Sequence, residues 1–220
     1  MLRQMPPIDI SDVDGVMCDS EAFDEAFDSY ISPLPVLYQS GYLTIKDYDA
    51  EDDTYTLGFP NYEVRTGFAS NLYRYITNTP SDNRERLVFL NAYKRFRRTN
   101  DLHAFIEAIK VFFAGVPYHW ERANRNEHYY HALLYTLLTA FGADISVEEP
   151  SAKGRCDLTL KMPQGIYVME LKYDHPAEEA LAQIEAKGYA EKYRLDGRTV
   201  TKVGISFSSK DRNITDWKSI

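Results

Sequence analysis

Two acidic residues and one lysine in the C-terminal half have the types and the spacing to act on a phosphate through a metal ion. Asp157 lies in the segment GRCDLTL, and Glu170 and Lys172 lie thirteen and fifteen residues further on, in IYVMELK. Side chains alternate faces along a strand, so Glu170 and Lys172 point to the same side. If the two segments pair as a hairpin across 162–165, Asp157 lies close to both residues.

A convergence of two carboxylates favours a divalent cation. Like charges close together raise one pKa and favour protonation, and a divalent cation removes this penalty. Oxygen ligands from Asp, Glu and a backbone carbonyl are those that Mg²⁺ or Mn²⁺ prefers. Lys172 can orient a water or help to deprotonate it, and it can offset the charge of a phosphate. The pattern therefore predicts hydrolysis of a phosphodiester.

The elements that must position these residues predict a small mixed sheet with helices on its faces. An amphipathic helix is expected over 127–141, ended by Gly142, and a second helix over 177–192. Strands are expected near 145–149, 156–161, 166–172 and 201–207. The resulting order, αβββαβ, is that of a mixed α/β (α+β) domain.

The N-terminal part predicts a small wing-like module made of a helix, a hairpin and a helix. A short helix before Gly41 is followed by a hairpin whose second strand covers 54–59 and by a helix that starts at the N-cap Asn61 and runs to about Ile76. Residues 1–28 are acidic and lack a clear period, which predicts a loosely held lead-in or the edge of something that precedes this chain.

The segment TNTPSDN, 77–83, is rich in turn-forming residues and predicts a domain boundary. We therefore expect a module over 1–80 and the sheet domain over 81–220. The apolar spacing in 84–113 predicts one helix or two, with a break near Thr99–Asn100.

Charge is unevenly distributed along the 220 residues, whose net charge is −8. Residues 1–75 contain 4 Lys and Arg against 14 Asp and Glu, a net of −10, and residues 76–220 have a net of +2. The acidic front is therefore expected to dock onto the sheet domain or onto an ATPase domain rather than onto DNA. The basic cluster Lys94, Arg95, Arg97 and Arg98 is equally consistent with a solvated helix end and with a phosphate contact.

Several classes of protein are disfavoured. No apolar run approaches the roughly 20 residues that span a bilayer, and the N-terminus lacks the apolar core of a signal peptide, so we expect a soluble cytoplasmic protein with no membrane partner. The cysteines Cys18 and Cys156 are far apart, which suggests free thiols. No GxSxG segment supports a serine hydrolase. Glu127 and His131 are four apart on a helix, but a helix rim explains them better than a histidine metal site.

The sequence resembles the PD-(D/E)XK nuclease superfamily, whose restriction-endonuclease-like core is the αβββαβ unit. More closely, it looks like the C-terminal nuclease-like module of bacterial proteins that begin with an AAA-ATPase-like domain. The resemblance covers the chain from about residue 40 to the end, through the segments SGYLTIKDYD, YTLGFPNYEVR, FFAGVPY, NEHYYHALLYTLL, GRCDLTL, MELKYD, ALAQIEAKGYAEKY and GISFSSKDRNITDW.

The resemblance implies a set of site residues. Asp157 and Glu170 would be metal ligands, with the backbone carbonyl of Leu171 completing the protein set for Mg²⁺ or Mn²⁺. Lys172 would position the attacking water. Glu127, on the first core helix, would reach the metal through water.

The resemblance also implies a polar residue facing the site, at Gln183, with Lys187 and Tyr189 facing the same cleft. The chain departs from the family pattern at Cys156, where the signature often has proline before the Asp. It also has no GxxxxGK[ST] segment, so we expect the ATPase domain to be absent and the chain to be a fragment or a stand-alone relative.

Two functions from different classes follow from the sequence. The first is a Mg²⁺-dependent nuclease that cleaves DNA, or alternatively RNA. The second is a catalytically silent nuclease-like fold that binds nucleic acid or regulates a neighbouring ATPase. Retention of Asp157, Glu170 and Lys172 favours the first, and the weak basic character of 76–220 favours the second.

Overall fold

The computed structural model describes residues 10, 13–24, 32–77, 84–116 and 127–220. Its N-terminal elements are β1 (Val16–Cys18), α1 (Glu21–Asp24), α2 (Leu34–Gln39), β2 (Thr44–Asp49), β3 (Thr54–Gly58) and α3 (Tyr62–Thr77). The predicted helix, hairpin and helix are confirmed, and the Asn61 side chain caps α3 by accepting from the Val64 amide at 2.9 Å.

Strand β1 was not predicted. It pairs antiparallel with β3, where Val16 is opposite Leu57, and completes a three-stranded sheet in the order β1-β3-β2. The expectation of a loosely held lead-in is therefore wrong for 16–18. The sequence signal was weak because this strand has only three residues. The rest of that prediction falls partly on 1–9, 11–12 and 25–28, outside the described residues.

Two helices, α4 (Arg84–Thr99) and α5 (Leu102–Ala114), follow with the expected break between them. Asn100 has a positive φ of 61° and ends α4, and Asp101 caps α5 by accepting from the Ala104 amide at 3.0 Å. The predicted domain boundary falls mainly on 78–83, which lie outside the described residues, and the division at 80/81 stays a prediction.

The C-terminal part has the predicted αβββαβ order and a mixed sheet flanked by helices. Its elements are α6 (Glu127–Ala140), β4 (Asp144–Ser151), β5 (Gly154–Met162), β6 (Gly165–Tyr173), α7 (Ala177–Lys187), β7 (Thr199–Ser208) and β8 (Asn213–Ser219). Two details differ from the prediction. Helix α7 ends early because Gly188 adopts a left-handed φ of 63°, and β8 is a polar edge strand that the pattern did not reveal.

Sheet topology brings several strand ends to one place. The strand order is β4-β5-β6-β7-β8, with β6 and β7 parallel and the other neighbours antiparallel. A parallel pair needs a crossover connection, which α7 provides. Strands β6 and β7 therefore end at the edge where β5 and β8 begin, and we call this edge the fork edge.

The N-terminal module packs on the sheet domain through α3 and α6. Arg65 of α3 donates to the hydroxyl of Tyr135, and the ring of Tyr73 contacts Phe141 edge-on with the centroids 5.5 Å apart. The buried apolar residues of both parts form one continuous cluster. Across the described part of the chain, no helix is long and apolar enough to cross a bilayer.

Candidate active site at the strand fork

The candidate site lies where β5 and β6 separate. Their antiparallel ladder ends at the pair Leu158 and Met169, so Asp157 and Glu170 would form the next pair. Instead, Asp157 Oδ2 accepts from the Leu171 amide at 2.8 Å, and Glu170 Oε2 accepts from the Asp157 amide at 3.4 Å. Both carboxylates thus accept hydrogen bonds from backbone amides beyond the last ladder pair, which holds the two side chains where the strands separate.

Glu170 is the most buried charged residue of the site, with 1% of its surface exposed. Burial and the nearby Asp157 raise the pKa of Glu170 to about 7, although Lys172 opposes the shift. The fold therefore holds two carboxylates close together, and a nearby cation is required to keep both of them ionised.

Lys172 supplies part of that charge. Its Nζ lies 3.6 Å from Glu170 Oε1 and 3.9 Å from Oε2 of Glu127, the first residue of α6. Burial, together with the nearby Asp157, raises the pKa of Glu127 above its ordinary value, although Lys172 opposes the shift. The structure thus brings Glu127 from a different element to the three residues of the strands.

The backbone carbonyl of Leu171 is also available to the site. Within a strand, the N–H and C=O of one residue point to the same side, because paired residues exchange both bonds. The Leu171 amide bonds Asp157, so its carbonyl also points toward the gap between β5 and β6. Leu171 itself is fully buried, which fixes the carbonyl in place.

Gln183 approaches the site from α7. Its Nε2 donates to Glu170 Oε1 and lies 3.5 Å from the hydroxyl of Tyr189. Tyr189 is 3% exposed and packs at the start of β5, where a Cβ added to Gly154 would lie 3.1 Å from its hydroxyl. Gln183 and Tyr189 therefore face the site, whereas Lys187 is exposed in the last turn of α7.

His131 has a role that the sequence did not indicate. Its Nε2 lies 2.9 Å from the backbone carbonyl of Asp157, and the residue is 7% exposed. Hydrogen bonds to side chains of Glu170 and His131 therefore hold both backbone groups of Asp157. The available signal was the helical spacing of Glu127 and His131, for which the sequence favoured a helix rim; that interpretation is wrong for His131, which is buried.

Cys156, next to Asp157, is a structural residue. It is 1% exposed, and its Sγ donates to the carbonyls of Leu158 at 3.3 Å and Met169 at 3.4 Å. Burial and Glu170 raise its pKa to about 12, so the thiol stays protonated and is not a nucleophile.

The basic cluster of α4 lies at the other end of the sheet. Gln164 Nε2 in the β5–β6 turn donates to the carbonyl of Phe96 at 3.1 Å, which places the end of α4 beside that turn. Glu170 lies five positions after Gly165 along β6, a distance of about 17 Å. Within the cluster, Arg95 pairs with Asp101 at 2.8 Å.

The residues at the fork fit a hard divalent cation. In the part of the chain that the structure describes, no three or more His, Cys, Asp or Glu side chains are grouped to enclose a metal. Asp157, Glu170 and the Leu171 carbonyl nevertheless provide oxygen donors, and Mg²⁺ commonly uses one or two carboxylates and keeps several waters. The buried Glu170 with its raised pKa is the observation that supports this fit, because a cation would stabilise its charged form.

Comparison with known proteins agrees with this geometry. Residues 125–217 match the family model described as PD-(D/E)XK nuclease superfamily, a range that includes α6, the whole fork and α7. The sequence resemblance to this superfamily is confirmed over that range, and the fold is the one it implies. No comparison tests the resemblance to proteins with an AAA-ATPase-like domain.

The chain is also similar to a protein of Azotobacter chroococcum mcd 1 described as an uncharacterized protein in the vnfD 5′ region. The two are 32% identical over 192 residues, which is 84% of this chain and 36% of the relative. The chain thus spans about a third of the length of that relative.

Proposed function

We propose that this chain, whose residues 125–217 match the family model of the PD-(D/E)XK nuclease superfamily, is a divalent-metal-dependent nuclease that hydrolyses phosphodiester bonds of DNA. The observation that supports the proposal best is the meeting of Asp157, Glu170 and Lys172 in the gap between β5 and β6. Acidic oxygens and a cation at one point are what metal-assisted phosphodiester hydrolysis requires.

Asp157, Glu170 and the Leu171 carbonyl would hold Mg²⁺ or Mn²⁺. When bound, the ion supplies Lewis-acid stabilisation of the phosphoryl oxygens and lowers the pKa of water. Gln183 fixes one oxygen of Glu170, and the Leu171 amide fixes one oxygen of Asp157, so both ligands are oriented before the ion arrives.

Lys172 places its ammonium beside both Glu170 and Glu127. From this position it orients the attacking water and stabilises the negative charge that develops on the phosphoryl oxygens. The water oxygen forms a bond to phosphorus while the bond from phosphorus to the leaving sugar oxygen breaks; the proton of the water passes to solvent, and the leaving oxygen takes up a proton from solvent. Glu127 lies close enough to help order the solvent at this point.

The experiment that tests the proposal combines calorimetric titration of Mn²⁺ with a plasmid-nicking assay on the same samples. The variant Asp157→Asn/Glu170→Gln removes both charges at constant shape. The control variant Asp52→Asn/Glu63→Gln removes two exposed charges from the N-terminal module. We expect Mn²⁺ binding and nicking in wild type and control, and loss of both in the fork variant.

Two results would contradict the nuclease. One is nicking that persists in the fork variant, since it would come from another site or a contaminant. The other is a wild-type chain that does not bind Mn²⁺ and does not cleave plasmid. If that chain still bound DNA, the silent nucleic-acid-binding module would replace the nuclease as the proposed function. The ATPase partner and the use of RNA stay predictions.

A further inference from the structure

Two turns with exposed cations flank the fork. The β4–β5 turn includes Lys153, with Arg155 two residues further on, and the β7–β8 turn includes Lys210 and Arg212. All four side chains are exposed. Each turn thus presents a Lys-x-Arg pair to solvent at the fork edge.

Hydrogen bonds fix both turns to the sheet. Ser151 pairs with Gly154 across the first turn, and Lys192 Nζ donates to the Pro150 carbonyl at 3.2 Å. In the second turn, the Ser209 amide donates to Asp174 Oδ1 at 2.7 Å. Asp174 directly follows β6, two residues after Lys172, so this turn is tied to the strand that contains the catalytic lysine.

The spacing of the turns suits a nucleic-acid backbone. The turns are centred between β4 and β5 and between β7 and β8, so at about 4.8 Å between neighbouring strands they lie about 14 Å apart. Each strand of B-DNA advances about 3.4 Å per nucleotide, so the two turns would reach phosphates about four nucleotides apart. Glu170 and Lys172, on β6, lie between them.

Acidic residues near the second turn are engaged within it. Asp211 Oδ2 accepts from the Ser208 hydroxyl at 3.0 Å, and Asp174 accepts from the Ser209 amide. Acidic residues that lie more than about 10 Å from this edge contribute little to binding there, because their charges are largely screened at 0.1 M salt.

Building on the nuclease proposed above, we infer that the β4–β5 and β7–β8 turns form a two-sided clamp for the phosphate backbone of duplex DNA. Lys153 and Arg155 contact phosphates on one side of the scissile bond, and Lys210 and Arg212 contact those on the other side. The clamp accounts for DNA binding by a chain whose sheet domain is only weakly basic. It also excludes the α4 cluster, which lies at the opposite end of the sheet.

The test measures binding without cleavage. Fluorescence anisotropy follows a short fluorescein-labelled duplex in EDTA, between about 50 and 200 mM NaCl. The variants are Lys153→Ala/Arg155→Ala and Lys210→Ala/Arg212→Ala. The matched control, Lys94→Ala/Arg98→Ala, removes the same number of exposed cations from α4. Thermal melts by circular dichroism check that each variant is folded.

Each turn variant is expected to bind the duplex about tenfold more weakly and to reduce the slope of log K against log[salt] by about 2, one unit per lost phosphate contact. The control should bind like wild type. Turn variants that bind like wild type, a control that loses as much affinity, or a wild type without affinity would overturn the clamp.

Two further outcomes are equally decisive. If only one of the two turn variants loses affinity for the duplex, the two-sided arrangement is wrong. If the chain binds a single-stranded oligonucleotide but not the duplex, the assignment to duplex DNA is wrong. The result is separable from the proposed chemistry, since EDTA prevents cleavage. A chain that binds through both turns but never nicks DNA contradicts the nuclease alone.

Discussion

The β5–β6 hairpin is built differently at its two ends. At the closed end, Met162 pairs with Gly165, the Met162 carbonyl accepts from Arg198 Nη1 at 3.0 Å, and the ring of Tyr167 lies 4.9 Å from Phe96. At the fork end, the ladder stops at Leu158 and Met169, and the side chains of Asp157 and Glu170 accept from backbone amides.

The difference separates stability from function along the same two strands. The closed end combines satisfied backbone groups with buried aromatic rings, which is the arrangement that stabilises a fold. The fork end places the half-buried Asp157 beside the buried Glu170, an arrangement that destabilises the metal-free protein but creates a place for a cation. Substitutions at the two ends should therefore have opposite signatures.

The largest effect is expected at the fork, on activity. Asp157→Asn keeps an oxygen that accepts from the Leu171 amide but removes the negative charge. Plasmid nicking should fall about 1000-fold, equivalent to about 4 kcal/mol of transition-state stabilisation. The midpoint of thermal unfolding in EDTA should stay constant or rise, since Glu170 loses a like charge. A clear fall in that midpoint would show that the fork is a stabilising element.

The closed end should respond through stability. Phe96 is fully buried and stacks on Phe105 with the ring centroids 4.4 Å apart. Phe96→Ala should lower the free energy of unfolding by about 3–5 kcal/mol, measured by urea titration. Nicking per folded molecule, measured at urea concentrations well below the unfolding midpoint, should change less than about threefold because Phe96 contacts β6 at Tyr167, about 10 Å along the strand from Glu170. A large loss of nicking by folded protein would contradict the separation of the two ends.

Much of the fork could be predicted from sequence because its register is local. A tight turn at 163–164 fixes which residues of β5 and β6 face each other, so Asp157 had to lie opposite Glu170. Hydrophobic periodicity likewise gave α6 and the central strands. The roles of these residues in catalysis stay predictions, whereas their convergence is a property of the structure.

Other features depend on contacts between distant segments. His131 meets the carbonyl of Asp157, a backbone group that gives no sequence signal. The position of Lys210 and Arg212 beside the fork depends on the parallel pairing of β6 and β7 across α7. Strand β8 was missed because it is a partly exposed edge with mixed polar residues, a pattern that resembles a loop.

A smaller effect is expected in the dependence of stability on pH. Burial and Asp157 raise the pKa of Glu170 from 4.5 to about 7 in the folded chain. Between these values the unfolded chain has lost a proton that the folded chain retains, so the free energy of unfolding falls as the pH rises. The stabilisation is complete below about pH 4.5 and is lost above about pH 7, a change of about 3 kcal/mol.

Urea titrations in EDTA at several pH values can isolate this contribution. The free energy of unfolding of Glu170→Gln minus that of wild type should increase by about 3 kcal/mol as the pH rises from about 4.5 to 7, because the variant cannot ionise at this position. Addition of Mg²⁺ should reduce the difference, because a bound cation stabilises the carboxylate of wild type. A difference that does not change with pH would mean that Glu170 titrates normally and that the fork is not electrostatically strained.

The smallest effect is expected at His131, whose contact with the strands of the site is to the backbone of Asp157. His131→Ala leaves the Asp157 carbonyl without this donor, which should lower the free energy of unfolding by about 1–2 kcal/mol. It should also reduce kcat about tenfold with KM unchanged, because Asp157 is then less well oriented. His131→Gln places an amide near the position of Nε2 and should restore kcat, while the shorter His131→Asn should not. Equal kcat values in the Gln and Asn variants would assign His131 to packing alone.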